Sequence, residues 1–334
     1  MRVLLTGGAG FIGGALASRL ERDGHRVYAT ARDGLVEADC QVLYGDLRDL
    51  AFAERAMAYA YPEAVFHLAA QAYVPIARRD PWGTMEDNVR GTYNLLEAFR
   101  RHAAADATLV VASSDKAYGE TTLLPCRESD ALSGQGPYDV SKACADLLAQ
   151  AYGREFGLRI GVVRCGNVYG PGDSHPTRLI PSLVEDMLAG IDAVIRSDGT
   201  PVRDYLYVDD AVEGYLAVER YLRGLDWELL ANGGLYARAF NLAGGEAVSV
   251  REVAERIEAT CGELGLAVNG EIVVCGTRTG EIQNQQLDTS RARALLGWTP
   301  AVTLNEGLRR TVRAAAVGHG RLTDEQADSP QSPL

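Results

Sequence analysis

Arg2-Val3-Leu4-Leu5-Thr6-Gly7-Gly8-Ala9-Gly10-Phe11-Ile12-Gly13 is the stretch that decides the fold. Arg2–Thr6 is an apolar run of strand length, and Phe11 to Asp23 carries the spacing of an amphipathic helix. The loop between them satisfies both G-x-G-x-x-G (Gly8, Gly10, Gly13) and T-G-x-x-G-x-x-G (Thr6, Gly7, Gly10, Gly13). Glycines there permit a tight turn, let backbone approach a pyrophosphate and let the helix pack closely on the strand. The helix N-terminus adds free N–H groups and the positive end of a dipole. A purely structural strand–helix turn uses glycine too. Placement in the first βα unit of an alternating chain favours a dinucleotide, held by Gly7, Gly10, Phe11, Ile12 and Gly13.

The alternation continues outward from that loop. Strand-like runs follow at His25–Thr30, near Gln41–Tyr44, at Ala64–Leu68, Thr108–Ala112 and Arg159–Arg164. Helical patterns lie around Met85–His102 and Tyr138–Phe156. Strand–helix alternation implies an α/β fold, a Rossmann-type doubly wound parallel sheet covered on both faces. After Gly166 the pattern changes to loops rich in glycine, proline and charge, at Gly170–Pro176 and Ser197–Asp204. The expected division is a dinucleotide-binding domain over 1–165 with a returning segment near 205–245. A smaller, discontinuous C-terminal substrate domain occupies most of 166–315, and a polar, aperiodic tail over 320–334 is expected to be disordered.

Bulk properties narrow the partners. With 334 residues, 47% of them hydrophobic, the chain can bury a sizeable core. A formal net charge of -12 disfavours nucleic acid, which needs a basic face. No apolar run approaches the roughly 20 residues that span a bilayer. A strand beginning at Arg2 leaves no room for a signal peptide, so a cytoplasmic protein is expected. The six cysteines form no C-x-x-C pair and read as reduced thiols. No histidine spacing suggests a metal site.

The end of the second strand usually selects the cofactor, an acidic residue binding the ribose hydroxyls of NAD and an arginine the 2′-phosphate of NADP. Here Ala31 fills the acidic slot and Arg32 follows it. Arg32 is read three ways: gripping a 2′-phosphate, stacking on adenine, or solvated. NAD is expected, with NADP the alternative that Arg32 opens. Asp46 and Leu47 after the third strand suit an adenine-contacting turn, and Leu68, Ala69 and Ala70 a strand end passing the cofactor.

Tyr138 and Lys142 stand one helical turn apart. A phenol titrating near 10 needs a neighbouring cation to act as a base at neutral pH. Lys142 supplies that charge and can bind the nicotinamide ribose. The Y-x-x-x-K spacing is common by chance. Here it gains weight from Pro137 at the helix start and from Ser113-Ser114 at the carboxyl end of the fifth strand, where open α/β sheets bind ligands.

Together these features resemble the extended short-chain dehydrogenase/reductase family, over nearly the whole chain to about Arg313. Further signatures are His67–Gln71, Asn88–Leu96, Arg164–Gly172, Val202–Asp210 and Leu295–Pro300, the later ones typical of its nucleotide-sugar epimerase/dehydratase branch. The resemblance implies that Asn167, Arg178, Arg203 and Arg278 line a nucleotide-diphosphate pocket. A diphosphate favours bidentate, permanently charged donors, which an acidic protein must concentrate locally. Each arginine alone would equally serve a surface or domain salt bridge. The resemblance also implies a homodimer through a four-helix contact using the helices near Met85–His102 and Tyr138–Phe156.

Ser114-Asp115-Lys116 is the most specific segment. Sugar 4,6-dehydratases read Thr-Asp-Glu at the matching place, and 4-epimerases carry small or uncharged polar residues. The S-D-K run resembles CDP-glucose 4,6-dehydratase-like enzymes, as does Arg196–Thr200. The opening Gly-Gly-Ala-Gly-Phe-Ile-Gly is instead the generic epimerase form, and Ala29–Arg32 is similar to GDP-linked deoxyhexose enzymes. The resemblance implies catalysis by Ser114, Asp115, Lys116, Tyr138 and Lys142. Tyr138 takes the C4 hydroxyl proton as hydride leaves C4, Asp115 assists loss of water from C6, and hydride returns to C6 to give a 4-keto-6-deoxy sugar. Lys116 is either the C5 base or a cation facing the enolate. The alternatives are a 4-epimerase, which needs no elimination, an NADPH-dependent nucleotide-sugar reductase, and a non-catalytic cofactor sensor. The intact Ser114, Tyr138 and Lys142 argue against the last.

Overall fold

A computed structural model of the chain describes residues 1–36, 38–225, 238–276 and 282–323. Along the chain it places β1 (Arg2–Thr6), α1 (Phe11–Arg22), β2 (Arg26–Ala31), β3 (Gln41–Tyr44), α2 (Leu50–Ala60), β4 (Ala64–His67), α3 (Val74–Arg79), α4 (Pro81–Met85), α5 (Gly91–His102), β5 (Thr108–Ala112), α6 (Pro137–Glu155) and β6 (Arg159–Cys165). Then follow β7 (Asn167–Tyr169), α7 (Leu179–Ala189), β8 (Ala193–Ile195), β9 (Val202–Tyr207), α8 (Val208–Gly224), β10 (Ala239–Leu242), β11 (Ala247–Ser249), α9 (Val250–Glu263), β12 (Ile272–Val274) and α10 (Leu304–Gly318).

The residues group into two units. The first is Met1–Gly166, Asp209–Ala243 and Gln285–Thr299; the second is Asn167–Val208, Gly244–Asn284 and Pro300–Leu334. The first unit therefore takes back a third piece, Gln285–Thr299, from a stretch the sequence assigned to the substrate domain. Pairing of this piece to Cys126 draws it in: Cys126 N donates to Gln286 O at 2.8 Å and Asp288 N to Cys126 O at 2.8 Å.

In the first unit seven strands form one sheet in the order β10-β6-β5-β4-β1-β2-β3. Every pairing in it is parallel. The expected doubly wound α/β sheet is thus present, extended by β10. Its central strands are buried along their length, Val3, Leu4, Leu5, Val65 and Phe66 among them, as helices on both faces require. The strand order reverses between β1 and β4, the switch point where such sheets bind ligands.

Helix starts follow local chemistry. Asp49 caps α2 by accepting from Ala51 N, and Ser249 and Thr303 accept from Glu252 N and Glu306 N at the starts of α9 and α10. The helix expected from Met85 begins earlier, at Pro81, because Asp80 caps it through Gly83 N at 2.9 Å. Between α4 and α5 a single π-helical turn, Glu86–Arg90, interrupts the regular helix.

The second unit holds a three-stranded sheet, β11-β9-β7, and the parallel pair β12-β8. β9 starts at Val202, so strand replaces the end of the loop expected over Ser197–Asp204. Pairing with β7 on one side and β11 on the other supplies its backbone partners, overriding the local charge. The first residues of the stretch expected to be disordered, 320–323, are among the described ones. Arg321 is tied to Leu188 O at 2.8 Å and to Ala267 O at 3.1 Å; the remaining tail residues, 324–334, lie outside the described ones. No described helix is long and apolar enough to cross a membrane.

Candidate active site

The glycine loop fits a dinucleotide for reasons visible in its geometry. Gly7 adopts φ 77°, and a Cβ there would lie 2.7 Å from Ala69 N, the strand end after β4. A Cβ on Gly13 would collide with the Gly7 carbonyl oxygen. Gly10 is different: a Cβ would meet only Gly7 O, at 3.3 Å, so its outer side is open. Gly10 is also the N-cap of α1, with no side-chain cap and no acidic residue in the first turn. An uncapped helix N-terminus approached only by glycine can receive a phosphate.

Charged groups cluster at the ends of β2 and β3. Arg32 Nη1 lies 3.1 Å from Asp87 Oδ1. Arg48 pairs with Asp46 at 2.5 Å and stands 3.7 Å from Asp87. A 2′-phosphate approaching Arg32 would meet the Asp87 carboxylate on the same guanidinium, which offsets the attraction.

The strand ends on either side of the switch point are tied by a hydrogen-bond chain whose direction can be deduced. Thr92 Oγ1 lies 2.5 Å from Asn88 O, which can only accept, so the threonine proton points there. Thr92 Oγ1 must then accept from His67 Nε2 at 3.0 Å. His67 Nδ1, left as acceptor, receives the Thr6 hydroxyl at 2.7 Å, and Thr6 Oγ1 accepts from Ala69 N at 3.2 Å. Burial, reinforced by the Lys142 charge, pushes His67 down to about 3, so the ring is neutral as this chain needs.

Asn88 carries the chain onward. Its Oδ1 accepts from Gln71 N at 2.7 Å, and its Nδ2 donates to Gln71 O at 3.0 Å and to Ser141 Oγ at 2.8 Å. Ser141 Oγ donates to Tyr138 O at 2.7 Å. The π-helical turn that holds Asn88 thus fixes the start of α6 against the cofactor loop.

On α6, Pro137 occupies the first turn and Gly136 N donates to Asp139 Oδ2 at 3.0 Å. Tyr138 and Lys142 are both buried. Lys142 Nζ donates to Ala112 O, the last residue of β5, at 2.9 Å. Burial lowers Lys142 to about 8, against the opposing pull of Cys165 and Asp146.

A single 3-10 turn, Asp115–Tyr118, follows β5. Ser114 caps it, accepting from Lys116 N at 3.2 Å and donating to Asp115 Oδ1 at 3.0 Å. Asp115 is only 4% exposed. Lys116 Nζ donates to Gln285 Oε1 at 3.0 Å. Among the described residues, the buried Ser113 Oγ has no partner.

The turn is locked to α6 from behind. Arg164 on β6 is 0% exposed and grips Asp146 of α6 through Nε at 2.8 Å and Nη2 at 3.0 Å. Its Nη1 donates to Tyr118 OH at 2.8 Å, and Tyr118 OH donates to Asn241 Oδ1 at 2.7 Å. Breaking one side of so deeply buried a pair would cost about 3–5 kcal/mol.

The first unit thus assembles the glycine loop, Leu68–Ala70, Ser114, Asp115, Lys116, Tyr138 and Lys142 around the carboxyl ends of β1, β4 and β5. The residues expected at the nucleotide lie in the second unit, apart from Arg278, which is outside the described residues. Asn167 opens β7. Arg178 precedes α7 and pairs with Asp173 at 2.8 Å. Arg203 on β9 is buried, and its Nη1 donates to Val202 O at 2.8 Å and Gln283 O at 3.2 Å. Two contributors to the first unit's site were not foreseen. Gln285 gave no sequence signal, being one of several polar residues in Gln283-Asn284-Gln285-Gln286. Asn88 was visible only as part of a family-like helix.

Known proteins carry the same framework. Residues 3–226 match the profile of the NAD dependent epimerase/dehydratase family. The dTDP-glucose 4,6-dehydratase of Streptomyces griseus is 33% identical over 322 residues, covering 93% of this chain and 92% of that protein. The UDP-glucose 4-epimerase of Mycolicibacterium smegmatis is 32% identical over 329 residues, covering 93% and 97%. Among solved structures, UDP-glucose 4-epimerase with UDP-glucose from Thermotoga maritima superposes with a TM-score of 0.84. It is 31% identical, with 96% of this chain and 100% of that one covered. With a profile spanning two-thirds of its length and a glycine loop shaped for a dinucleotide, the chain belongs to the NAD-dependent epimerase/dehydratase family of enzymes.

Proposed function

We propose that this enzyme is a nucleotide-sugar 4,6-dehydratase, releasing a 4-keto-6-deoxy sugar and water. The observation that carries the reading is the buried Asp115 beside Lys116 on one turn at the end of β5. A C4 epimerisation has no step for a proton donor at C6, whereas an elimination needs both an acid and a base. Gly7, Gly10, Phe11, Ile12 and Gly13 would hold the pyrophosphate of NAD, Asp46 and Leu47 its adenosine, Leu68–Ala70 its central part, and Tyr138 and Lys142 the nicotinamide ribose. Asn167, Arg178, Arg203 and Arg278 would take the sugar nucleotide's diphosphate. NAD, when bound, accepts hydride from C4 and returns it at C6.

The chain's own residues handle the protons. Tyr138, as phenolate beside the Lys142 cation, takes the proton of the C4 hydroxyl as C4 is oxidised. The resulting ketone acidifies the C5 hydrogen, which the Lys116 amine removes. Asp115, protonated, gives its proton to the departing C6 hydroxyl, which leaves as water, and the proton gained at Tyr138 balances the one lost at Asp115. Ser114 orients the pair through its bonds to Asp115 and to the Lys116 backbone. As hydride reaches C6, Lys116 returns its proton to C5, and the proton held by Tyr138 passes to solvent while Asp115 regains one from it.

A 4-epimerase is the second reading, favoured by the generic glycine loop and by the epimerases among the relatives. Purified enzyme incubated with dTDP-, UDP-, CDP- and GDP-hexoses separates the two. The alkali-induced absorbance near roughly 320 nm of a 4-keto-6-deoxy sugar is expected from one of them, and lost in Asp115→Asn. A C4 epimer with no keto product from any of them would overturn the dehydratase reading.

A further inference from the structure

We propose that Gln285 is a positioning residue for Lys116, a role that rests on the dehydratase reading. Gln285 lies far along the chain from Lys116, yet its Oε1 accepts from Lys116 Nζ at 3.0 Å. The amide faces this way when Lys116 is an ammonium, because that nitrogen then presents only hydrogens and the amide oxygen is the only acceptor on the glutamine side chain. That leaves Nε2 inward. It is buried, and no acceptor for it stands among the described residues.

An amide that satisfies one end at the expense of the other is a poor structural choice. Gln285 is 4% exposed, and an apolar side chain of similar size would fill the same space without stranding a donor. Lys116 is only partly buried, so water could replace the lost acceptor. What the glutamine adds is direction. Spending one N–H of Lys116 on a fixed oxygen restricts where the remaining hydrogens and the lone pair of that nitrogen point.

The oxygen itself is fixed by the backbone on its C-terminal side. Gln286 O and Asp288 N pair with Cys126, and Asn241 Nδ2 holds both Cys126 O, at 2.9 Å, and Asp288 O, at 3.2 Å. Asn241 is in turn held by Tyr118, from the same turn as Lys116. The lysine and the residue that aims it are therefore anchored to one another by two routes, which is the arrangement a precisely placed base requires.

The test is a double-mutant cycle on the full-length enzyme with its NAD, using Gln285→Leu and Lys116→Met. Gln285→Leu is expected to lower kcat about tenfold with KM within about twofold, and to add no more than about twofold in the Lys116→Met background. Its melting temperature is expected not to fall, since a stranded donor is removed. With substrate deuterated at C5, the isotope effect on kcat is expected to rise in Gln285→Leu as proton removal becomes slower. A second readout does not depend on the reaction. The rate at which acetic anhydride modifies Lys116, followed by peptide mass spectrometry at fixed pH, is expected to change at least twofold in Gln285→Leu while the rate at Lys142, the chain's one other lysine, does not. Equal losses in both backgrounds, or an unchanged Lys116 labelling rate, would overturn the proposal. Changed labelling in an enzyme that makes no keto sugar would keep the positioning and remove the dehydratase reading instead.

Discussion

Replacing Lys142 by methionine should stabilise the NAD-free protein at pH 7 while it abolishes turnover. Lys142 is buried, and burial lowers it from 10.5 to about 8. Holding such a group charged in the fold costs about 3 kcal/mol relative to the unfolded chain. Methionine removes that penalty but also the ammonium's bond to Ala112 O, worth about 1.5–3 kcal/mol. The net expectation at pH 7 is a gain of about 1 kcal/mol. The sign with pH follows from the direction of the shift. Between about 8 and 10.5 the unfolded chain keeps a proton that the folded protein has released, so wild-type stability rises with pH relative to the variant. By pH 10 most of that penalty is gone, and the lost hydrogen bond outweighs what remains, inverting the order. Urea unfolding of both proteins without NAD at pH 7, 8.5 and 10 measures the difference. Turnover with the active nucleotide sugar should fall by about two to four orders of magnitude, the usual reach of a positioned acid–base group. A variant less stable than wild type at pH 7, or a stability difference flat from pH 7 to 10, would refute the view that Lys142 is retained against its own desolvation.

Two further substitutions probe the frame. Gly13→Ala sets a methyl against the Gly7 carbonyl oxygen, and fluorescence titration should find NAD affinity reduced at least about tenfold, whereas unaltered affinity would mean the loop can shift at little cost. Thr92→Val breaks the chain through His67 while Thr92→Ser keeps it. The valine variant should lose about 1–3 kcal/mol of stability, and the serine variant should recover most of it in the same thermal melts. An unchanged valine variant beside a destabilised serine variant would show that methyl packing, not the hydroxyl, matters at that position.

Much of this enzyme is written in short range. The glycine loop and the alternating strands and helices each fit within a window of about twenty residues or fewer, and periodicity reports them. Gly7, Gly10 and Gly13 could be named because a strand–helix turn around a phosphate tolerates no Cβ. Tyr138 and Lys142 could be paired because one helical turn separates them. Family likeness added Asp115 and Lys116 as the expected acid and base, and says nothing of their surroundings. The tertiary structure alone decided what those groups touch. Arg32 stands beside Asp87, Arg164 clamps Asp146 and Tyr118, and Gln285 reaches Lys116. Each contact joins residues far apart in sequence. Parallel strand order and the return of Gln285–Thr299 bring them together, and no local pattern of charge or hydropathy records a partner chosen by topology.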